Sequence, residues 1–289
     1  MSSHGRAALL IVGHGSRSAA GVAEYWRLAD VVRDQAPELA VGCGFIELAP
    51  PDLDTAVDSL VAGGATSVVA SPLILLGAGH LKNDGPAALH RGRHRHPGVA
   101  FSYARDLGIH PLLLSVAEDR IRATIGGDEP AETAVVLVGR GSSDPDANAD
   151  LYKVARLLWD SRGLGQVEPA FVSLARPDVG AALDRCRRLG ATRIAVVPYF
   201  LFTGVLVERI RAQTGAWAEA HPAVDVRHGP HLGVDARVAE LVLERYREAQ
   251  GGDARMNCDL CVYRTALPGY EHRVGAPAAG RHHDHHGRG

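Results

Sequence analysis

The chain is written twice. VVLVGRGSSD from Val135 repeats LLIVGHGSRS from Leu9, and SLARPDVGAALDRCRRLGATRIAVVPYFLF from Ser173 repeats ELAPPDLDTAVDSLVAGGATSVVASPLILL from Glu47. His221-Pro222 repeats His96-Pro97, and Gly233-Val234-Asp235 repeats Gly108-Ile109-His110. The first two pairs share one offset and the last two sit one residue shorter, which points to a single deletion in the loop after the third strand. A repeat of this length means duplicated structural units, so each half must fold by the same rules.

Within the first copy, Ala8–Val12 is an apolar run that reads as a buried strand. Ser18–Gln35 reads as a helix, with Val22, Trp26, Ala29 and Val32 near helical spacing, and Pro37 ends it. Val41–Ile46 reads as the second strand, and Asp52 starts a helix that stops at Gly63-Gly64. Ser67–Ala70 is a third strand, Leu81–His90 a short helix, Val99–Tyr103 a fourth strand and Pro111–Ile125 a further helix. The expected fold is α/β: two duplicated lobes facing one another, each a four-stranded parallel sheet flanked by helices. The expected divisions are an N-terminal lobe over 1–126, a C-terminal lobe over 127–250, and an irregular tail over 251–289.

A formal net charge of -2 gives no reason to expect a nucleic-acid partner. No apolar stretch is long enough to cross a bilayer, and MSSHGRAALL has none of the features of a secretory signal, so a cytoplasmic protein is expected. Of the four cysteines, Cys43 and Cys186 fall in or beside elements expected to be buried, and a disulfide framework is not expected.

The copies differ where chemistry would reside. His14 becomes Arg140, Glu47 becomes Ser173, and His80 has no counterpart. A structural requirement would recur in both halves; these side chains occur in one, which points to a single active site formed mainly by the N-terminal lobe. His14 and His80 follow strands one and three of one sheet, at the edge where open α/β sheets place ligands. Neutral imidazole binds divalent cobalt, nickel, iron or zinc and takes up a proton near neutral pH. Glu47 follows the second strand and would share that rim as a proton acceptor. The competing structural readings are a turn histidine bonded to backbone for His14 and a turn brace for Glu47. Ser16 and Arg17 lie at a helix start that attracts anions, and Arg17 is lost in the second copy. Lys82 follows His80 as a second candidate cation, and Asp84 is spaced to orient the His80 ring. Arg91, Arg93 and Arg95, with His90, His94 and His96, form a basic cluster suited either to solvent or to steering an acidic substrate.

The tail carries Cys258 and Cys261 in a CxxC, and His282, His283, His285 and His286 near the end. Two thiolates suit an iron-sulfur cluster, zinc, copper or a redox pair, with further ligands needed to close a cluster; the histidines suit accessory metal capture.

LLIVGHGSR, GFIELAPPDLDTAV from Gly44, PLILLGAGHLKND from Pro72 and PYFLFTGVLVERI from Pro198 together resemble the long form of the sirohydrochlorin chelatases, the class II tetrapyrrole chelatases. The resemblance spans Leu9 to Ala249, and the CxxC tail resembles the extension of cobalt-inserting members. It implies ATP-independent insertion of Co2+ into sirohydrochlorin, a polycarboxylate tetrapyrrole, in cobalamin biosynthesis, with Fe2+ insertion for siroheme as the alternative. His14 and His80 would then hold the metal and act in catalysis, Glu47 would assist, and Ser16, Arg17 and Lys82 would meet substrate. The tail would carry an iron-sulfur cluster at Cys258 and Cys261. A metallochaperone or metal store, and a two-lobed small-molecule binding protein, are the readings from other classes. The partners expected are sirohydrochlorin and a divalent metal, with no nucleic acid and no membrane, in a monomer or homodimer.

Overall fold

The computed structural model describes residues 6–255, 261 and 266–275, and of His80 and Ser161 the backbone alone. The first half contains β1 (Ala7–Gly13), α1 (Ala19–Gln35), β2 (Ala40–Phe45), α2 (Leu53–Ala62), β3 (Ser67–Pro72), α3 (Gly85–Arg95), β4 (Ala100–Tyr103) and α4 (Pro111–Ile125). The second contains β5 (Ala134–Gly139), α5 (Pro145–Ser161), β6 (Val167–Phe171), α6 (Val179–Arg188), β7 (Arg193–Pro198), α7 (Val205–Ala220), β8 (Asp225–His228) and α8 (Ala236–Gln250). Each half builds a four-stranded parallel sheet, in the orders β2-β1-β3-β4 and β6-β5-β7-β8. The expected duplicated α/β architecture is the one observed. Among the described residues no helix is long and apolar enough to cross a membrane.

The central strands are apolar throughout because both faces of each sheet are covered. Leu9 and Ile11 of β1 point into the space between the sheets, while Ala8, Leu10 and Val12 pack on α2 and α3. β5 repeats the alternation, with Val135 and Leu137 inward and Val136 and Val138 outward onto α6 and α7. The inner faces of both sheets share one core with α1, α4, α5 and α8. Equivalent caps recur in the two halves. Asp52 accepts from Thr55 N at 2.7 Å, and Asp178 accepts from Ala181 N at 2.9 Å.

The last helix of each half crosses to the other lobe. α4 packs on β7 and β8, and α8 packs on α1, β3 and β4. Leu113, Val116, Ile121 and Ile125 of α4 are buried, each worth about 2 kcal/mol of apolar transfer. Buried polar contacts fix the crossing. Arg245 of α8 donates to the carbonyls of Asp106 (3.0 Å) and Leu107 (2.8 Å), and Arg120 of α4 donates to Leu232 O at 2.8 Å.

The two halves part company between β3 and α3. A π turn spans His80–Asp84, and α3 begins at Gly85 rather than at Leu81, with Pro86 in its first turn. α3 also runs on to Arg95, through Gly92, whose bare backbone packs closely on Phe101 and Val57, and stops before Pro97. The second half instead runs α7 as an unbroken helix from Val205. A π turn is an α-helix carrying one added residue. The one-residue difference between the repeats falls in this segment, since β3 and β7 keep the first offset and the ends of α3 and α7 have the second.

Candidate active site

Backbone contacts between neighbouring loops bring His14 and Glu47 together. Beyond the β1–β2 ladder, Ile46 N donates to Gly13 O at 2.9 Å and Glu47 N donates to His14 O at 3.1 Å. Gly15 has φ +92, and a Cβ there would sit 1.7 Å from Glu47 O, so the two loops touch only because residue 15 has no side chain. His14 Nε2 and Glu47 Oε1 are 3.5 Å apart, both side chains about one-third exposed. His14 Nδ1 lies 3.2 Å from Gly15 O. Both ring nitrogens thus face acceptors, Nδ1 the Gly15 carbonyl and Nε2 the Glu47 carboxylate, so the ring is oriented from both ends and a proton on either nitrogen has a partner.

The second half keeps this frame and changes the side chains. Val172 N donates to Gly139 O and Ser173 N to Arg140 O, both at 3.0 Å. Gly141, at φ +85, packs on Ser173 O as Gly15 packs on Glu47 O.

A cleft of about 660 Å³ opens between the lobes, large enough for a sizeable small molecule. Gly13–Arg17 and the 73–84 segment line it from one side, and Gly139–Asp144 and the 199–207 segment from the other. The order β2-β1-β3-β4 changes direction between β1 and β3, and the loops after those strands meet at this crevice. Tyr25, Phe45, Phe171, Tyr199, Phe200 and Phe202 give the cleft an aromatic floor. Leu48 and Leu174, equivalent residues held at φ 66 and 60, project into it from opposite lobes and remain exposed. Burial raises the Tyr199 and Tyr25 phenols above their ordinary values.

The other expected residues fall in different surroundings. The His80 backbone opens the π turn, between cleft-lining Gly79 and Leu81. Ser16 lines the cleft and accepts from Ser18 N at 3.0 Å, while Arg17 lines it exposed. Lys82 is largely buried, its side chain 11% exposed, and reaches across the lobes, with Nζ 2.6 Å from Asp144 Oδ2 and 3.9 Å from Asp146 Oδ2. Burial works against its charge, but the hydrogen bond and negative charge of Asp144 outweigh this and raise its pKa. The basic cluster is used on the outer face of the first sheet. Arg91 and Arg95 bridge to Asp54 and Asp58 of α2, and Arg93 donates to Phe101 O. Beneath the cleft, burial first, then the charges of Asp146 and Asp106, push the Asp150 carboxyl up to about 6.

The expected iron-sulfur cluster in the tail is corrected. Among the described residues no group of three or more His, Cys, Asp or Glu side chains is assembled to hold a metal ion. Cys261 is a buried free thiol close enough to Lys82 to influence its charge, so it is packed away rather than presented as an open ligand. Cys258, His282, His283, His285 and His286 lie outside the described residues.

Two cleft residues escape a reading by strand ends. Arg140 reads in the sequence only as the loss of a histidine. Arg273 lies in a stretch without periodicity, yet it lines the cleft from a 3-10 turn at Glu271–Arg273. Their charge against an acidic ligand is the signal that would have found them.

The CbiX family matches residues 8–124 and 134–249. The sirohydrochlorin cobaltochelatase of Priestia megaterium is 36% identical over 269 residues, covering 92% of this chain and 88% of that one. The sirohydrochlorin ferrochelatase of Bacillus subtilis strain 168 is 31% identical over 261 residues, covering 90% and 98%. A solved structure of SirB from Bacillus subtilis with Fe3+ superposes with a TM-score of 0.76 at 30% identity, covering 87% of this chain and all (100%) of that one.

Proposed function

This chain belongs to the CbiX family, the class II sirohydrochlorin chelatases, and from that membership we propose that it inserts a divalent ion, Co2+ or Fe2+, into sirohydrochlorin. It is an enzyme of the chelatase type. The metal is a substrate here, and the balance is simple: one divalent ion enters the macrocycle and two pyrrole protons leave.

The observation that carries the reading is the His14–Glu47 pair, 3.5 Å apart where the aromatic cleft meets the first lobe. A flat conjugated ring suits the aromatic floor. Nε2 of His14 offers a lone pair to the incoming ion once Nδ1 carries the ring proton toward Gly15 O. His80, from the neighbouring loop, is the proposed second imidazole. Few ligands hold the ion loosely enough to pass it on. Glu47, beside His14, accepts a pyrrole proton as the ion enters. Arg17 and the Ser16 loop meet the substrate carboxylates at the start of α1. Lys82 is engaged by Asp144, so its proposed part is to hold the lobes in register around the ring.

Named relatives divide between cobalt and iron, and imidazole with carboxylate accepts both ions. The preference for cobalt rested on the tail, and the correction there weakens it. The deciding experiment follows sirohydrochlorin absorbance anaerobically with each ion in parallel, for wild type, His14→Ala and His80→Ala. Insertion by wild type and its loss in both variants is expected. Unimpaired insertion by both folded variants rejects the assignment; metal binding with no change in sirohydrochlorin absorbance supports a metallochaperone instead.

A further inference from the structure

We propose that Arg140 and Arg273 grip carboxylates of the macrocycle, fixing how it lies in the cleft; this rests on the tetrapyrrole reading above. Arg140 occupies the place of His14 in the second lobe, on the same backbone hydrogen bonds, and faces the cleft exposed. Its neighbour is Ser173 where His14 has Glu47, so the replacement removes the local carboxylate along with the imidazole. Among the described residues neither Arg140 nor Arg17 forms an ion pair, and the Arg273 guanidinium contacts only a ring, 5.2 Å above the centroid of Tyr270.

This separates the cleft cations from others in the molecule. Lys82, Arg95, Arg105, Arg237 and Arg245 all meet carboxylates of the protein itself. A guanidinium that lines a cleft without a protein carboxylate is available to one from a ligand, and its planar fork matches a carboxylate in bidentate fashion. Arg140 comes from the second lobe and Arg273 from beyond both repeats, whereas the metal-handling pair comes from the first lobe. With Arg17 on the first lobe, the acidic rim is therefore held from both sides of the cleft while the ion is delivered from the first lobe. Stacking on Tyr270 pre-orients Arg273 and reduces the entropy lost when it binds.

The test is equilibrium binding of sirohydrochlorin and of its methyl ester, without metal, read by quenching of protein fluorescence. Arg140→Ala and Arg273→Ala are each expected to weaken sirohydrochlorin binding about tenfold. The ester, which has no negative charge to lose, should bind wild type and variants within about twofold. Arg140→Lys should recover part of the affinity, since charge returns without the fork. Variants that bind sirohydrochlorin as tightly as wild type overturn the proposal, as does equal weakening for acid and ester. If wild type inserts metal and His14→Ala does not, while the arginine variants keep full affinity, this proposal alone falls. If wild type neither binds nor metallates sirohydrochlorin, the functional assignment falls and this proposal with it.

Discussion

Lys82 of the first lobe and Asp144 of the second form a buried ion pair across the cleft, Nζ to Oδ2 at 2.6 Å. Asp144 also caps α5, its Oδ1 accepting from Asp146 N at 3.2 Å. Asp144→Ala leaves the largely buried Lys82 ammonium with only the more distant Asp146 carboxylate, at 3.9 Å, and an uncapped helix, with an expected loss of about 3 kcal/mol. Asp144→Asn keeps a capping oxygen and should lose less. Urea midpoints of the two variants check the order. Because the folded-state pKa of Lys82 lies above its ordinary value, the stability it contributes is complete below about pH 10. That contribution is lost only as pH rises through the folded value, so the pair persists across the neutral range.

Asp150 supplies a pH signature of opposite origin. Burial and two neighbouring carboxylates push it up to about 6, so the folded state holds its proton more tightly than the unfolded chain. Its charge therefore costs stability as pH rises from about 4 to about 6, and the full cost remains above that range. Asp150→Asn should stabilise the fold at pH 7.5, by on the order of 1 kcal/mol once solvent screening is included, and raise its melting temperature accordingly. The gain should vanish at pH 4. An equal gain at both values, measured by calorimetry, would contradict an origin in the buried carboxylate's charge.

Gly15 and Gly141 share a conformation, but their neighbours carry different side chains. Alanine at either position meets a carbonyl oxygen within 2 Å, with φ near +90, so each should cost roughly 2–3 kcal/mol or more. Gly15→Ala also parts His14 from Glu47, and insertion should fall by at least about 100-fold in the folded fraction. Gly141→Ala should match it in stability and lose far less in rate at saturating sirohydrochlorin. Comparison of denaturation curves with single-turnover rates separates the two effects.

The π turn at His80–Asp84 suggests a deletion rather than a substitution. Removing Asn83 makes the segment the length of its counterpart in the second half, which lies within the unbroken helix α7. One residue is about 100° of helical rotation, so residues 80–82 would turn away from their present direction relative to α3. Insertion should be lost and the sheets should survive, since the second lobe is built on the shorter version. Circular dichroism and the absorbance assay together check this.

Much of this arrangement is local and so was legible in the chain. Apolar runs ending in glycine turns marked β1 and β5, Pro111 marked the start of α4, and Asp52 marked the cap of α2. The meeting of His14 with Glu47 followed from two adjacent strand ends on one sheet. What escaped depends on distant partners. Lys82 read as a free cation because Asp144, its partner, lies 62 positions away in the other repeat. Arg91 and Arg95 read as a solvated cluster or a steering patch because nothing local announces Asp54 and Asp58 across the α2–α3 contact. The π turn was visible only as a one-residue difference in offset, which reads as a loop deletion until the helix is seen.

The crossing of α4 and α8 has a mechanical consequence. Each sheet is roofed by a helix belonging to its twin, so the halves are clasped like folded hands, and swinging them apart about a hinge would peel both crossing helices from the sheets they cover.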